Sequence, residues 1–332
     1  MYGTTAVTFE DLRKRLNPQG QIDFVMEVLA QSNPIMQDVK WSEGNLPTGN
    51  QTTLRTSYPH PELRRVNRGV QPQKSTTRQV VDTCCIMEMR SEIDVRLLKL
   101  APDKMAFRAS EDRAFIEGFG EDIAKYLFYG DTDANPDQFN GLGVRYNTFA
   151  GDRGETGYQV INAGGKTAKK QTSAYIVEWG DDAVMGIYPR GSQAGLETQD
   201  LGESDATDKD GGKYRVVSTL FMWDAGLAVK NLRKVAAIRN IDCKAAAEDT
   251  TSEARKALVE KIIVAKNRIV NLKNPVLYVS PSVYTMIELH LSDKNNVYVT
   301  RRDLMEKMPE LYISGLRVSK NDALTETEEI IA

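Results

Sequence analysis

Between residues 51 and 89 the chain cannot build a core of its own, and this restricts its possible folds more than any other feature. Two pieces, QTTLRTSYP and STTRQVVDTCCIMEM, flank a middle that reads HPELRRVNRGVQPQK. The outer pieces are rich in Thr, Val, Tyr and Cys, carry few helix formers, and read as strands. Pro59, Pro61, Gly69 and Pro72 interrupt regular structure between them. The expectation is a two-stranded arm, and ten residues per strand would reach about 30 Å. Its first strand and tip offer only Leu54, Tyr58, Leu63, Val66 and Val70 as large apolar side chains. An isolated two-stranded hairpin is marginal in water, so the arm needs something to lie on. The tip is basic: Arg55, Arg64, Arg65, Arg68, Lys74 and Arg78 face only Glu62 nearby. Another subunit is the expected support.

The remainder is long enough to supply a body. The chain has 332 residues, which allows a sizeable core in two domains or one elaborated domain. A formal net charge of -3 argues against a protein whose whole surface clings to nucleic acid. Three cysteines, two of them adjacent (Cys84 and Cys85), make neither a disulfide framework nor a zinc site, and a reducing compartment follows. No apolar run is long enough to cross a membrane, and the opening MYGTTAVTFEDLRKRL lacks the apolar stretch of a signal peptide.

Periodicity places the elements. Thr8 and Asp11 resemble a capping box for a short helix over residues 8–16, which Asn17-Pro18-Gln19-Gly20 stops. Ile22, Val25, Met26 and Leu29 share one face of a second helix that Asn33-Pro34 ends. After the arm comes a mixed segment, 91–100. Ser110 then caps a helix over residues 110–128, with Glu111 and Asp112 in its first turn, where the dipole favours them. Phe115, Phe119, Ile123 and Leu127 form its apolar stripe, and Glu117, Glu121, Asp122 and Lys125 mark wetter faces. Gly118 and Gly120 weaken a helix, so close packing is expected at both. Residues 131–158 read as loop, and 186–210 as irregular with an acidic end: Glu197, Asp200, Glu203, Asp205, Asp208 and Asp210. Strands are expected over 174–179, 214–223, 235–241, 276–279, 297–300 and 316–319. Helices are expected from Ser252, and from Pro281 to about Leu291. This order fits an α+β fold better than a doubly wound sheet.

Catalytic and ligand-binding motifs fail at defined positions. Asp131-Thr-Asp133-Ala-Asn135 opens like a calcium loop, but Pro136 stands where the turn requires Gly and Leu142 where a bidentate Glu is needed. Gly164-Gly165-Lys166-Thr167 ends like a phosphate loop, but Val160 replaces its first Gly. Gly141-Leu142-Gly143 lacks the third glycine of a dinucleotide fingerprint, and in Gly191-Ser192-Gln193-Ala194-Gly195 the Ser is misplaced for a nucleophile elbow. His60 and His290 read as ordinary surface or partly buried residues. Of the vicinal cysteines one should pack and the other face outward, with no base in sequence to make either a nucleophile. No catalytic residue, metal or cofactor is expected. For the basic arm two readings remain. Phosphate contact would make a nucleic-acid-binding protein of the chain, with steep salt dependence. Docking on an identical subunit would use Glu111, Asp112, Glu117, Glu121, Asp122, Glu197, Asp200 and Glu203 as acidic partners, setting register more than affinity.

The order of parts resembles the major capsid proteins of tailed double-stranded DNA bacteriophages with the Hong Kong 97-type fold. The helix with Ser110-Glu-Asp-Arg-Ala-Phe115 runs into Leu127-Phe-Tyr-Gly130-Asp-Thr132, then Pro136 and Phe139-Asn-Gly141-Leu142, and this passage is similar to the family's segment after its spine helix. The opening TFEDLRKRLNPQGQIDFVMEVLAQSNPIMQD and the entry GNLPTGNQTTLRT resemble a podovirus-like branch. The resemblance implies an N-terminal arm over residues 1–48 and an extended loop over 49–92 lying across a neighbour. It implies a peripheral domain over 93–145 with spine helix 110–128, an axial domain over 146–314, and a C-terminal return segment over 315–332. It further implies pentamers and hexamers of an icosahedral head around double-stranded DNA, assembled in the bacterial host cytoplasm. A separate scaffolding protein, a portal and a decoration protein are the implied partners. Some relatives cross-link a Lys to an Asn. Here the tip holds Lys74 but is mainly Arg, so no such bond is assigned.

Overall fold

The structure, a computed structural model, describes residues 32–243, 252–291, 299–304 and 307–331. The two helices expected within residues 8–29 lie outside these. The described chain opens with a single turn, α1 (Ile35–Asp38), and a short strand, β1 (Trp41–Glu43). The arm follows as β2 (Gly49–Ser57) and β3 (Thr76–Asp94). Its second strand is 19 residues long and does two jobs. Residues 76–83 pair antiparallel with β2, while residues 84–94 pair with β8 (Lys213–Val229) in the body. Only the outer part of residues 51–89 is therefore a free-standing ribbon.

β8 organises this first sheet. One edge of β8 pairs with β3 along the whole body section. Its other edge pairs first with β7 (Glu197–Thr207) and then with β6 (Val184–Tyr188), which carries β1 in parallel. Residues 186–210 are thus the end of one strand and a second ribbon, not an irregular segment. Most of β7 is exposed, so no burial pattern in its sequence marks it as a strand. Its partner β8 supplies the order.

The mixed segment after the arm resolves into the end of β3 and a short helix, α2 (Val95–Leu100). The long helix, α3, spans Lys104–Tyr129, about 39 Å at 1.5 Å per residue. It starts six residues before the expected Ser110, because Asp103 is the cap. One carboxylate oxygen of Asp103 accepts from the amides of Met105 (2.9 Å) and Ala106 (3.1 Å), and the run after it contains no breaker. Gly118 and Gly120 do not mark close packing: a Cβ at Gly118 would sit 3.7 Å from Met89, and one at Gly120 would meet nothing within 4 Å. Gly130 and Gly141 are the close approaches. A Cβ there would lie 2.2 Å from the Phe139 carbonyl oxygen and 2.5 Å from that of Tyr126. The chain folds back on the end of α3 at this point, with Gly141 N donating to Gly130 O (2.9 Å), and leads into α4 (Leu142–Arg145).

The second sheet runs β11-β12-β13-β10-β5-β9-β4. Its strands are β4 (Val160–Asn162), β5 (Gln171–Val177), β9 (Val235–Asp242), β10 (Val276–Val279), β11 (Val299–Leu304), β12 (Lys307–Ile313) and β13 (Leu316–Lys320). β5 is buried throughout, and its period of two divides the interior into two layers. Ala174 and Ile176 meet Leu258, Ile262 and Ala265 of α5 (Ser252–Arg268) and Val283 and Ile287 of α6 (Pro281–Leu291). Tyr175 and Val177 meet Ile123, Leu127 and Phe128 of α3 and Tyr146. The long helix therefore joins both sheets, and the arm leaves the molecule at their junction.

Candidate inter-subunit surface

The outer ribbon is held by its own polar groups. Thr56 Oγ1 and Ser57 Oγ each lie 2.7 Å from Thr76 Oγ1. Beyond them residues 58–75 contain no strand or helix. Gln73 organises this tip: its side-chain oxygen accepts from His60 N (2.9 Å), and its Nε2 donates to Glu62 Oε1 (3.0 Å). Arg64 Nε donates to Arg68 O (2.8 Å). Glu62, the lone acid here, is thus engaged by an amide. Arg55, Arg64, Arg65, Arg68, Lys74 and Arg78 are all exposed, and none forms an ion pair among the described residues. The apolar tip residues are also uncovered, Leu63 fully and Val66 at 89%. The arm does not fold back on its own body.

The root is the opposite in character. Where β3 passes from β2 to β8, Asp82 is 2% exposed, and its Oδ1 lies 2.7 Å from Arg145 Nη1. Arg145 also donates to the carbonyls of Asn140 and Leu227, each at 3.0 Å. Gly49 has φ +153°, and a Cβ there would lie 2.0 Å from Asp82 O. Beside this point Cys85 is buried, as expected of one of the pair, while Cys84 is half-buried rather than facing fully outward. Cys85 joins the main core, and Cys84 packs against Met185, Ile187 and Ala228. Burial pushes the thiols up, to about 12 for Cys84 and about 11 for Cys85, so a nucleophilic thiolate is scarce at neutral pH.

The candidate acids divide. Glu111 is buried and its helix neighbour Asp112 half-buried, while Glu117 and Asp122 are exposed and Glu121 half-buried. On β7, Glu197, Asp200 and Glu203 are exposed, but two are engaged within the chain. Arg108 Nη1 lies 2.9 Å from Asp200 Oδ2, and Arg215 lies 3.3 Å from Glu203. Sequence reasoning missed both cations. The Arg215 pair follows from the β7–β8 register, whereas nothing local marks Arg108, 92 positions from its partner. None of the arm cations reaches any of these acids within the chain. Glu197 and Asp205, by contrast, form no ion pair among the described residues.

The Arg108 cluster has a defined titration. The hydrogen bond from Arg108 holds the Asp200 carboxyl below the usual range. Burial pushes Asp112 up, against the opposing pull of Arg108. The Asp200 contact therefore adds stability above the ordinary carboxylate pKa and loses it as pH falls through the depressed value. Asp112 has the opposite sign, since its ionisation opposes folding. In a carboxyl-resolved NMR titration, Arg108→Ala is expected to raise both midpoints. A drop in either would contradict the assignment.

The other motif residues form ordinary turns. Asp131 Oδ1 accepts from Asp133 N (2.9 Å) and Asn135 Oδ1 from Asp137 N (3.1 Å), and no metal-binding group of His, Cys, Asp or Glu exists among the described residues. At the glycine pair, Gly164 N donates to Asn162 Oδ1 and Gly165 N to Asn240 O, so the amides a phosphate needs are already used.

Comparison with known proteins bears on the arm and body together. The family model described as major capsid protein GP7 matches residues 17–332. A chain from the structure of bacteriophage Epsilon15 superposes over 100% of this chain and 99% of its own, with TM-score 0.74 and 24% identity. A chain from the capsid of bacteriophage JBD30 superposes over 90% and 94%, with TM-score 0.52 and 11% identity. No curated protein matches the chain. Nothing in these likenesses supports a nucleic-acid-binding finger.

Proposed function

The chain belongs to the major capsid protein GP7 family, and from that premise we propose how its parts serve a phage head. It is a structural shell protein with an α+β fold of the Hong Kong 97 type. Residues 49–83 act as the gripping loop, lying across the next subunit. The Arg55, Arg64, Arg65, Arg68, Lys74 and Arg78 charges meet acids on that neighbour. Of the acids considered, exposed Glu117, Asp122 and Glu197 fit best, joined by Asp205, because they are not consumed within the chain. One observation carries this reading: an arm fixed firmly at its root has, among the described residues, nothing of its own chain beneath its tip.

Repetition of one heterologous contact closes rings, and rings of five and six tile a shell. Each subunit is then held by several neighbours, and many modest contacts add up to large avidity. The shell encloses double-stranded DNA, and a scaffolding protein, a portal and a decoration protein complete the head in the host cytoplasm. Among the described residues no helix is long and apolar enough to cross a membrane. The role calls for no catalytic step. The chain expressed with its scaffold should give closed particles in negative-stain electron microscopy, whereas a strictly monomeric product at high concentration would count against the proposal.

A further inference from the structure

We infer that Asp82 and Arg145 form a positioning pair that sets the angle at which the arm leaves the body. The pair sits where β3 exchanges one partner strand for another: Asp82 is opposite Asn50 of β2, and two residues later Cys84 is opposite Gly226 of β8. Arg145 reaches three separate pieces of chain from one guanidinium. It holds Asp82 on the arm strand, the Asn140 carbonyl in the segment after α3, and the Leu227 carbonyl on β8. Among the described residues Asp82 Oδ2 has no hydrogen-bond partner and Arg145 is the one cation on that carboxylate. The other root contacts join the arm's two strands or hold its entry to the end of β6, where Arg190 N donates to Leu46 O (3.1 Å) and Gly44 N to Tyr188 O (2.8 Å). Cys84 N donates to Thr48 O (3.0 Å), and Asn45 exchanges hydrogen bonds with the Gln51 backbone. They keep the strands side by side without tying the ribbon to the segment after the long helix.

Leverage gives the pair its importance. The strand beyond Asp82 extends about 25 Å, so a swing of about 10° at the root moves the tip by about 4 Å. That exceeds what a hydrogen-bonded contact tolerates. Among the described residues nothing of the body supports the tip, so the root decides where it points. The consequence for particle shape rests on the shell reading above, while the angle itself does not.

The test compares Arg145→Lys and Asp82→Asn with the control Glu178→Gln. The Glu178–Lys234 pair is also 2.7 Å long and similarly buried, but it lies away from the arm. Two readouts are taken: the distance distribution between spin labels at exposed Thr77 and Asp182, introduced through non-natural residues, and particle diameters by electron microscopy. The expected result is a broadened label distance and malformed or heterogeneous particles for both root variants, with a narrow distance and normal particles for the control. Unchanged distances in folded root variants would overturn the inference. So would equal damage from the control, or loss of the fold in both root variants, either of which would assign the pair to general stability. Absence of particles from the unaltered chain would sink the shell reading instead, and the label distances would still judge the pair.

Discussion

Reversing Arg64, Arg65 and Arg68 to Glu is expected to abolish closed particles while leaving the subunit folded. All three side chains are exposed and form no ion pair among the described residues, so the substitutions remove only the exposed hydrogen bond from Arg64 to the Arg68 carbonyl, and surface changes of this kind usually alter stability by no more than about 0.5 kcal/mol. Between subunits the effect is large for two reasons. Like charges facing each other cost several kcal/mol and misdirect the encounter. The loss also recurs at every copy of a repeated contact, so a modest penalty per subunit multiplies around a ring. Sedimentation should show the variant as small species with unchanged circular dichroism. Normal particle yield would remove the arm tip from the assembly interface.

Glu328→Ala is expected to produce the largest loss of stability, about 3–5 kcal/mol, because it strands a buried cation. Glu328 belongs to the C-terminal segment, where its amide donates to Gln171 O at 2.9 Å. Its carboxylate accepts from Tyr129 Oη and Ser173 Oγ and lies 3.5 Å from Arg239 Nη2. Arg239 is 7% exposed and also donates to Tyr175 Oη. Burial, reinforced by the Glu328 charge, pushes the Tyr129 hydroxyl well above its ordinary pKa, so this phenol remains a donor at any working pH. Removing the carboxylate releases three donors at once and unpins the segment that returns across α3 and β5. Glu328→Gln keeps the shape and part of the hydrogen bonding, so a smaller loss is expected. Urea unfolding distinguishes the cases, and an alanine variant within 1 kcal/mol of the parent, about the worth of one ordinary hydrogen bond, would refute the account.

What could be read from the sequence was whatever depends on neighbours along the chain. β10 (Val276–Val279) and the start of α6 at Pro281 fall where they were expected, because a short buried run gives way to Ser-Pro. The arm was legible because its residues are poor in apolar side chains wherever they are placed. β7 was not, since its acids face water and its strand form depends on β8, reached only through the turn at 208–212. The cap of the long helix was misplaced because Ser110-Glu-Asp imitates a start, while Asp103, just after Pro102, supplies the actual one. Of the candidate acids, only the charge was legible. Their exposure on β7 was readable as charge, but the claims of Arg108 and Arg215 on two of them depend on strand register and on packing across 92 positions.

The continuous course of β3 also governs how the molecule would carry a pull. Tension applied to the arm enters the body along the strand's own axis and arrives at the β8 ladder lengthwise. Every rung of that ladder is then strained together, as in a lap joint, instead of being peeled one after another as at the end of a zipper. A subunit tugged by its neighbours would give way at the grip before it tore at the shoulder.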